Sequence, residues 1–224
     1  MADEMLHLPF SGTWMAQNSP ARRVPSHGID LFGERYAIDF VAVDLRRRSS
    51  ERRDWRTFLS TEPPERFLGF GRPIVAPVDG VVAAVHDGEP DHEGRRSQLA
   101  LVPYALGQAG RLRQGVHAIA GNTVTIAVRG GAAFVSLAHL RLGSIRVGVG
   151  DHVTAGQHIA ACGNSGNSTE PHVHLQVMDR ADPSNAAGLP LRFRSFREWL
   201  PGSAEPVIVE SGIPGERSIV ESLA

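Results

Sequence analysis

A chain of 224 residues is long enough to bury one sizeable hydrophobic core with peripheral additions. With 42% apolar residues, 21% charged residues and a net charge of −1, it has the composition of an ordinary soluble globular protein, and no overall field draws it to nucleic acid or an acidic surface. No run of ~18 apolar residues offers a membrane span, and the start MADEMLHLPFSGTW has acids where a secretion signal carries bases, so the chain as given reads as soluble and unprocessed.

Residues 1–35 are rich in Pro, Gly, Ser and Asn and read as extended or looped chain wrapping a core. RYAIDFVAV (35–43) alternates as a strand, with Tyr36, Ile38 and Phe40 on one face and Ala37, Asp39 and Val41 on the other. Asp39 therefore sits among small or apolar neighbours, where a bare carboxylate is costly. The stretch 44–67 is arginine-heavy but interspersed with Asp and Glu, which favours a solvated insertion over a nucleic-acid patch.

From residue 71 the texture changes to short apolar runs between glycine turns. RPIVAPVDGVVAAVHDG (72–88) predicts two strands around Pro77–Gly80, NTVTIAVRGGAAFVSLAHL (122–140) a hairpin with RGG at the turn, and 143–166 further short strands. Segment 89–121 reads as a mixed loop with room for a short helix; 189–200 adds a strand and turn, and 201–224 is Pro/Gly-rich and expected at the periphery. Many short strands at regular spacing predict a mainly β fold, an antiparallel sandwich or barrel-like core with long loops and few short helices.

All 23 basic residues are arginine, which excludes Schiff-base chemistry and a lysine-tethered prosthetic group. Cys162 is the only cysteine, so neither an intrachain disulfide nor a cysteine-cluster metal site is open to the chain. Of ten histidines, His86, His92, His117 and His152 neighbour charged or glycine-rich turns and read as solvated, while His158 reads as a half-buried strand residue.

His172 and His174 in NSTEPHVHLQV (167–177) differ, because residues two apart on a strand share a face. A divalent zinc site needs at least one more ligand, and His27, Asp39 and His139 are candidates that spacing does not choose between. Without CxxC, HExxH or an EF-hand pattern, a His/Asp zinc site is the strongest metal hypothesis.

The stretches RYAIDF, GRPIVAPVDGVVAAV, GNTVTIAV, VSLAHL and VGVGDHVTAGQHIAACGNSGNSTEPHVHLQV, in that order over roughly 24–180, resemble the lysostaphin-type zinc metalloendopeptidases that cleave peptidoglycan peptides. The resemblance implies their duplicated-hybrid-motif β fold, in a metallopeptidase-like region 24–180 with an arginine-rich insertion at 44–70. An extended segment 1–23 would precede it, and an extension 181–224 would pack on the core. It further implies a zinc ion held by His27, Asp39 and His174, with His139 and His172 as nonligand catalytic histidines, and a peptidoglycan peptide as substrate. The family's upstream His precedes its Asp by four residues; here His27 precedes Asp30 by three and Asp39 by twelve, and Asp39 is preferred with Asp30 as the alternative. That substrate class suggests work outside the cytoplasmic membrane, without an export signal in the chain as given.

Two other readings compete. APVDGVV and VGVGDHVTAGQHIAACGNSG also resemble biotinyl and lipoyl carrier half-barrels, which need the lysine this chain lacks. A wall-binding or regulatory relative of the peptidase fold would differ from the enzyme in binding zinc poorly.

Overall fold

The computed structural model, which describes residues 4–50, 60–95 and 115–223, is built mostly from strands. In chain order they are β1 (Glu4–Leu6), β2 (Trp14–Gln17), β3 (Ile38–Ala42), β4 (Pro73–Val75), β5 (Gly80–His86), β6 (Asn122–Val128), β7 (Phe134–Leu140), β8 (His152–Val153), β9 (His158–Ala161), β10 (Val173–Met178), β11 (Leu191–Trp199), β12 (Val207–Gly212) and β13 (Ile219–Ser222). A short helix, α1 (Val116–Ala120), precedes β6, and single 3₁₀ turns occur at Glu34–Tyr36, Pro64–Arg66 and Pro183–Asn185.

Eleven strands make one sheet in the order β1-β11-β13-β2-β3-β10-β7-β6-β5-β8, with β12 paired to β11 off this path, while β4 and β9 form a second, two-stranded sheet. The pairings are antiparallel except β1 with β11, so the mainly β class with few short helices holds and the large sheet is mixed. The small sheet supplies a second layer: its Ile74, Ile159 and Ala160 join Leu137, Val173 and Leu175 of the large sheet in one core. At one end of that core Phe10 stacks on Trp14 at 4.5 Å, and Phe40 meets Phe10 and Phe193 edge-on at 5.0 and 5.5 Å.

The 122–140 hairpin forms as β6 and β7. Residues 72–88 do give two strands, but β4 pairs with β9, and β5 with β6 and β8. Ala76 explains the crossing, since its N–H donates to the Gln157 carbonyl and its own carbonyl accepts from Gly156, keeping the chain on the β9 layer before it leaves for β5. The expectation that 201–224 is peripheral fails for β13, which lies inside the sheet between β11 and β2 with Ile219 and Val220 buried. The Pro and Gly residues that suggested a loose tail sit in the links around β12 and β13. Of the arginine-rich stretch 44–67, residues 51–59 lie outside the described residues, as do 96–114 of the predicted mixed loop 89–121; Ser50 bridges Phe67, and α1 occupies the end of 89–121.

Strand alternation creates a second, polar face. Ile38 and Phe40 of β3, and Val173, Leu175 and Val177 of β10, enter the core. Asp39, His174 and Gln176 consequently face the other way, joined by Ser136 of β7, Thr125 and Thr123 of β6 and Ala84 and His86 of β5, and together these line a cleft of about 460 Å³. Tyr36 does not continue the β3 pattern, because Glu34–Tyr36 turns as a 3₁₀ helix.

Phe40 links the aromatic end of the core to the strand that carries Asp39. Phe40→Ala is expected to cost about 3–5 kcal/mol in denaturant unfolding, through lost burial and the cavity left between Phe10 and Phe193.

Candidate metal centre

Three elements supply the polar cluster on this face. Asp39 lies opposite His174 across the β3–β10 ladder, and Ala138 of β7 flanks His174 on its other side. His27 comes from the loop before β3, where Ser26 is fixed by its N–H donating to the Arg35 carbonyl. A divalent ion could be held between His27, Asp39 and His174, whose potential ligand atoms all lie within 4.8 Å of one another.

The donor set suits such an ion. Asp39 Oδ2 is 3.0 Å from His27 Nε2, and Oδ1 is 2.9 Å from His174 Nδ1. Each imidazole's other nitrogen is already occupied by a neutral partner: His27 Nδ1 lies 3.1 Å from Ser26 Oγ, and His174 Nε2 donates to Gln176 Oε1 at 2.9 Å. Gln176 is itself oriented because its amide nitrogen donates to the Phe32 carbonyl at 2.8 Å. Outer partners of this kind fix the tautomer and ring orientation of metal-ligating histidines. Two imidazoles and a carboxylate, with room for a fourth group, match a zinc site of the catalytic type.

His172 and His139 stand beside the cluster in a different condition. His172 Nδ1 donates to the Glu170 carbonyl at 2.8 Å and lies 2.9 Å from Ser168 Oγ, which leaves Nε2 turned inward, 3.7 Å from Asp39 Oδ1. His139 Nδ1 donates to the Ser165 carbonyl at 2.9 Å, and its ring centroid is 4.6 Å from that of His172. Strand parity alone would send His139 to the core with Leu137. A bulge prevents this: Asn122 and Val124 of β6 face Leu140 and Leu137, so one β6 residue opposes both Ala138 and His139. Leu137 and Leu140 stay in the core while Ala138 and His139 both line the cleft, with His139 held at a left-handed φ of 58°.

The loop GNSGNST braces both rings. Besides the Ser165 carbonyl, the Ser165 hydroxyl donates to the Leu140 carbonyl and accepts from the Asn122 N–H. Gly166 is required here, since its φ is 69° and a Cβ would fall 2.4 Å from the Gly121 nitrogen.

Charges in the cluster are strongly coupled. Burial alone would raise the Asp39 carboxyl, but the charges of His27 and His172 and hydrogen bonds from His174 and His27 hold it well below the usual range. Burial works against a proton on His174, yet the hydrogen bond and charge of Asp39, aided by Glu34 and Gln176, push it up to about 9. His139 is driven well below 6.5 by burial, then by the charges of His172 and His174, so it stays neutral near pH 7.

Asp30 does not join the cluster: it is half-exposed and paired with Arg35. Sequence reasoning missed Asn18, whose amide donates to Asp39 Oδ2 at 2.7 Å, and it missed Gln176, although Gln176 shares a face with His174 two residues away. Three histidines read as solvated have defined places: His86 and His117 stack at 3.9 Å along the cleft, and His92 Nε2 donates to the Gly166 carbonyl at 2.7 Å. His152 is exposed and His158 half-buried in β9. Cys162 is fully buried with its thiol pushed up by burial, a packing residue rather than a nucleophile.

Residues 104–186 match the family model described as Peptidase family M23, a segment that holds His139, His172 and His174 but not His27 or Asp39. Over 55 residues the chain is 42% identical to the glycyl-glycine endopeptidase ALE-1 of Staphylococcus capitis, a match covering 25% of this chain and 15% of that protein. The catalytic domain of lysostaphin from Staphylococcus simulans aligns over 80% of this chain and 88% of its own at 18% identity, with a TM-score of 0.40. The catalytic domain of the prophage-encoded M23 protein EnpA from Enterococcus faecalis, as its A109H mutant, aligns over 66% and 85% at 24% identity, with a TM-score of 0.36. The segment 104–186, which carries the His-x-His strand, thus resembles Peptidase family M23, and the chain spans only a small part of the length of the glycyl-glycine endopeptidase it is similar to.

Proposed function

We propose that the chain is a zinc-dependent endopeptidase that hydrolyses peptide bonds of bacterial cell-wall peptidoglycan. The observation that carries the reading is the convergence of His27, Asp39 and His174 beside two further imidazoles whose Nε2 atoms are left over for chemistry. The name of the Staphylococcus capitis relative, a glycyl-glycine endopeptidase, supports a substrate of small-residue peptide links. In this reading His27 Nε2, an Asp39 oxygen and His174 Nδ1 are the ligands. The ion they hold supplies Lewis acidity, polarising a peptide carbonyl and making water a usable nucleophile near neutral pH.

The remaining steps belong to side chains. His139, neutral because of its burial and with Nδ1 committed to Ser165, offers Nε2 as a proton acceptor for the attacking water. His172, with Nδ1 committed to Glu170, presents Nε2 from the neighbouring position, where a protonated ring can donate to the developing oxyanion and then to the departing amine. Asn18 and Gln176 hold Asp39 and His174 in place. Ile29, Phe32, Val116 and Ile119 give the cleft apolar walls.

The two members of the His-x-His pair are expected to separate on substitution. His174→Ala should lose zinc on dialysis and lose hydrolysis of a muropeptide panel with it. His172→Ala should keep about one zinc per chain while its kcat falls by roughly 10²–10⁴-fold, the usual contribution of a positioned acid or base. Metal analysis of the two variants beside the wild type separates the roles, and a wild type without zinc contradicts the reading.

Zinc uptake is expected to release a proton. The metal-free His174 pKa of about 9 is above its ordinary value, so its protonated form contributes stability fully below 6.5 that is lost as pH rises through about 9. A ligand ring must be neutral, so the apparent zinc affinity should rise by up to about tenfold per pH unit from near 6.5 to near 9 and then level off. Calorimetry at pH 7.5 in buffers of different ionisation enthalpy reads the released proton directly.

A further inference from the structure

Among its described lining residues the cleft has one carboxylate besides Asp39, Glu34, and no arginine. Glu34 begins the 3₁₀ turn in the excursion that separates His27 from Asp39. Its backbone is fully used, with the N–H donating to the Leu31 carbonyl and the C=O accepting from the Ala37 N–H and the Ser26 hydroxyl. Its side chain is not. Glu34 is half-buried, yet among the described residues its carboxylate has neither a hydrogen bond nor an ion pair, and neighbouring Arg35 turns to Asp30 instead. Elsewhere carboxylates at comparable positions do find partners, as Glu216 does in Arg22 and Glu221 in Arg197. A half-buried charge without a partner is costly, and one facing a substrate cleft finds its partner in the ligand.

The sign of that partner follows from the rest of the cleft. Asp39 is committed to Asn18, His27 and His174, and a divalent ion added to that set leaves a net positive charge there. A cationic substrate group would be repelled by it unless an opposite charge stood nearby, and a carboxylate would be drawn to the ion itself. Glu34 supplies the opposite charge, and it is close enough for His174 to feel its field. Ile29 and Phe32, from the same excursion, add apolar surface to the same cleft.

We propose that Glu34 is a recognition residue for an ammonium group carried by the peptide near the scissile bond, so that the cleft prefers amine-bearing peptides to their neutralised forms. The amine is an α-amino group or a side-chain amine; both have the chemistry a lone carboxylate reads. The proposal rests on the endopeptidase reading for the identity of the ligand as a peptide, but not on turnover.

Binding therefore tests it first. Calorimetric titration of the full chain loaded with zinc compares glycylglycinamide, N-acetylglycylglycinamide and N-acetyl-lysylglycinamide. At least one amine-bearing peptide is expected to bind about five- to tenfold more tightly than the acetylated glycine form, and which one does so identifies the source of the amine. In Glu34→Gln that difference should collapse to near unity, with the variant's fold checked by its unfolding midpoint. Equal affinities of all three peptides for the wild type, or a preference that survives in Glu34→Gln, overturns the proposal. Hydrolysis distinguishes the two readings. Amine preference in binding without cleavage of any longer peptide contradicts the endopeptidase and leaves the ammonium subsite standing; cleavage of free and acetylated peptides at equal kcat/KM does the reverse.

Discussion

The candidate site depends on the register between β3 and β10, in which Asp39 faces His174 across an antiparallel ladder. Because side chains alternate with a period of two, a slip of one residue would bury Asp39 and His174 in the core and expose Ile38, Phe40 and Leu175. The core holds the register: Ile38, Phe40, Val173 and Leu175 are fully buried on the opposite face. Packing and chemistry are thus two faces of the same strands. The cost of burying a carboxylate is offset locally, since Asp39 accepts from Asn18, His27 and His174, and the same gathering places three groups that could hold a metal ion within 4.8 Å of one another.

Around this register the protein adds departures from regular structure beside the polar cluster. The bulge at Ala138–His139 lets one strand bury Leu137 and Leu140 while turning an imidazole between them to the cleft, and it holds His139 in a left-handed conformation uncommon for a non-glycine residue. Asn18 and Phe32 are also left-handed, with φ of 49° and 56°, and both meet the cluster, one through Asp39 and the other through Gln176. Strained positions supported by a packed scaffold are a usual feature of functional sites. The loop from Ser165 to Glu170 gives this geometry its rigidity, because its carbonyls at Ser165 and Glu170 fix the tautomers of His139 and His172.

Much of this was legible in the sequence, and what was not has physical causes. The period-two pattern placed Asp39 opposite Ile38 and Phe40, and His172 on the face of His174, because alternation is a local property. The convergence of His27 on Asp39 across twelve residues depends on the turn at Glu34–Tyr36 and on a long-range strand pairing, which spacing does not encode. Asn18 was invisible for the same reason, since β2 brings it to Asp39 through tertiary pairing. Glu34 gave no signal in a chain with 24 acidic residues, because nothing local distinguishes a carboxylate that has no partner among the described residues. The place of β13 inside the sheet was obscured by the Pro and Gly residues beside it, although Ile219 and Val220 are ordinary strand residues.

The central claim is that one ion belongs between His27, Asp39 and His174. Anomalous diffraction at the zinc edge, from crystals of the full chain grown with stoichiometric zinc, tests it most directly. The account predicts a single strong peak about 2.0–2.2 Å from His27 Nε2, an Asp39 oxygen and His174 Nδ1, with His139 and His172 outside bonding distance. A peak coordinated by Asp30 in place of Asp39, by His139 or His172, or no peak in the cleft, would contradict it.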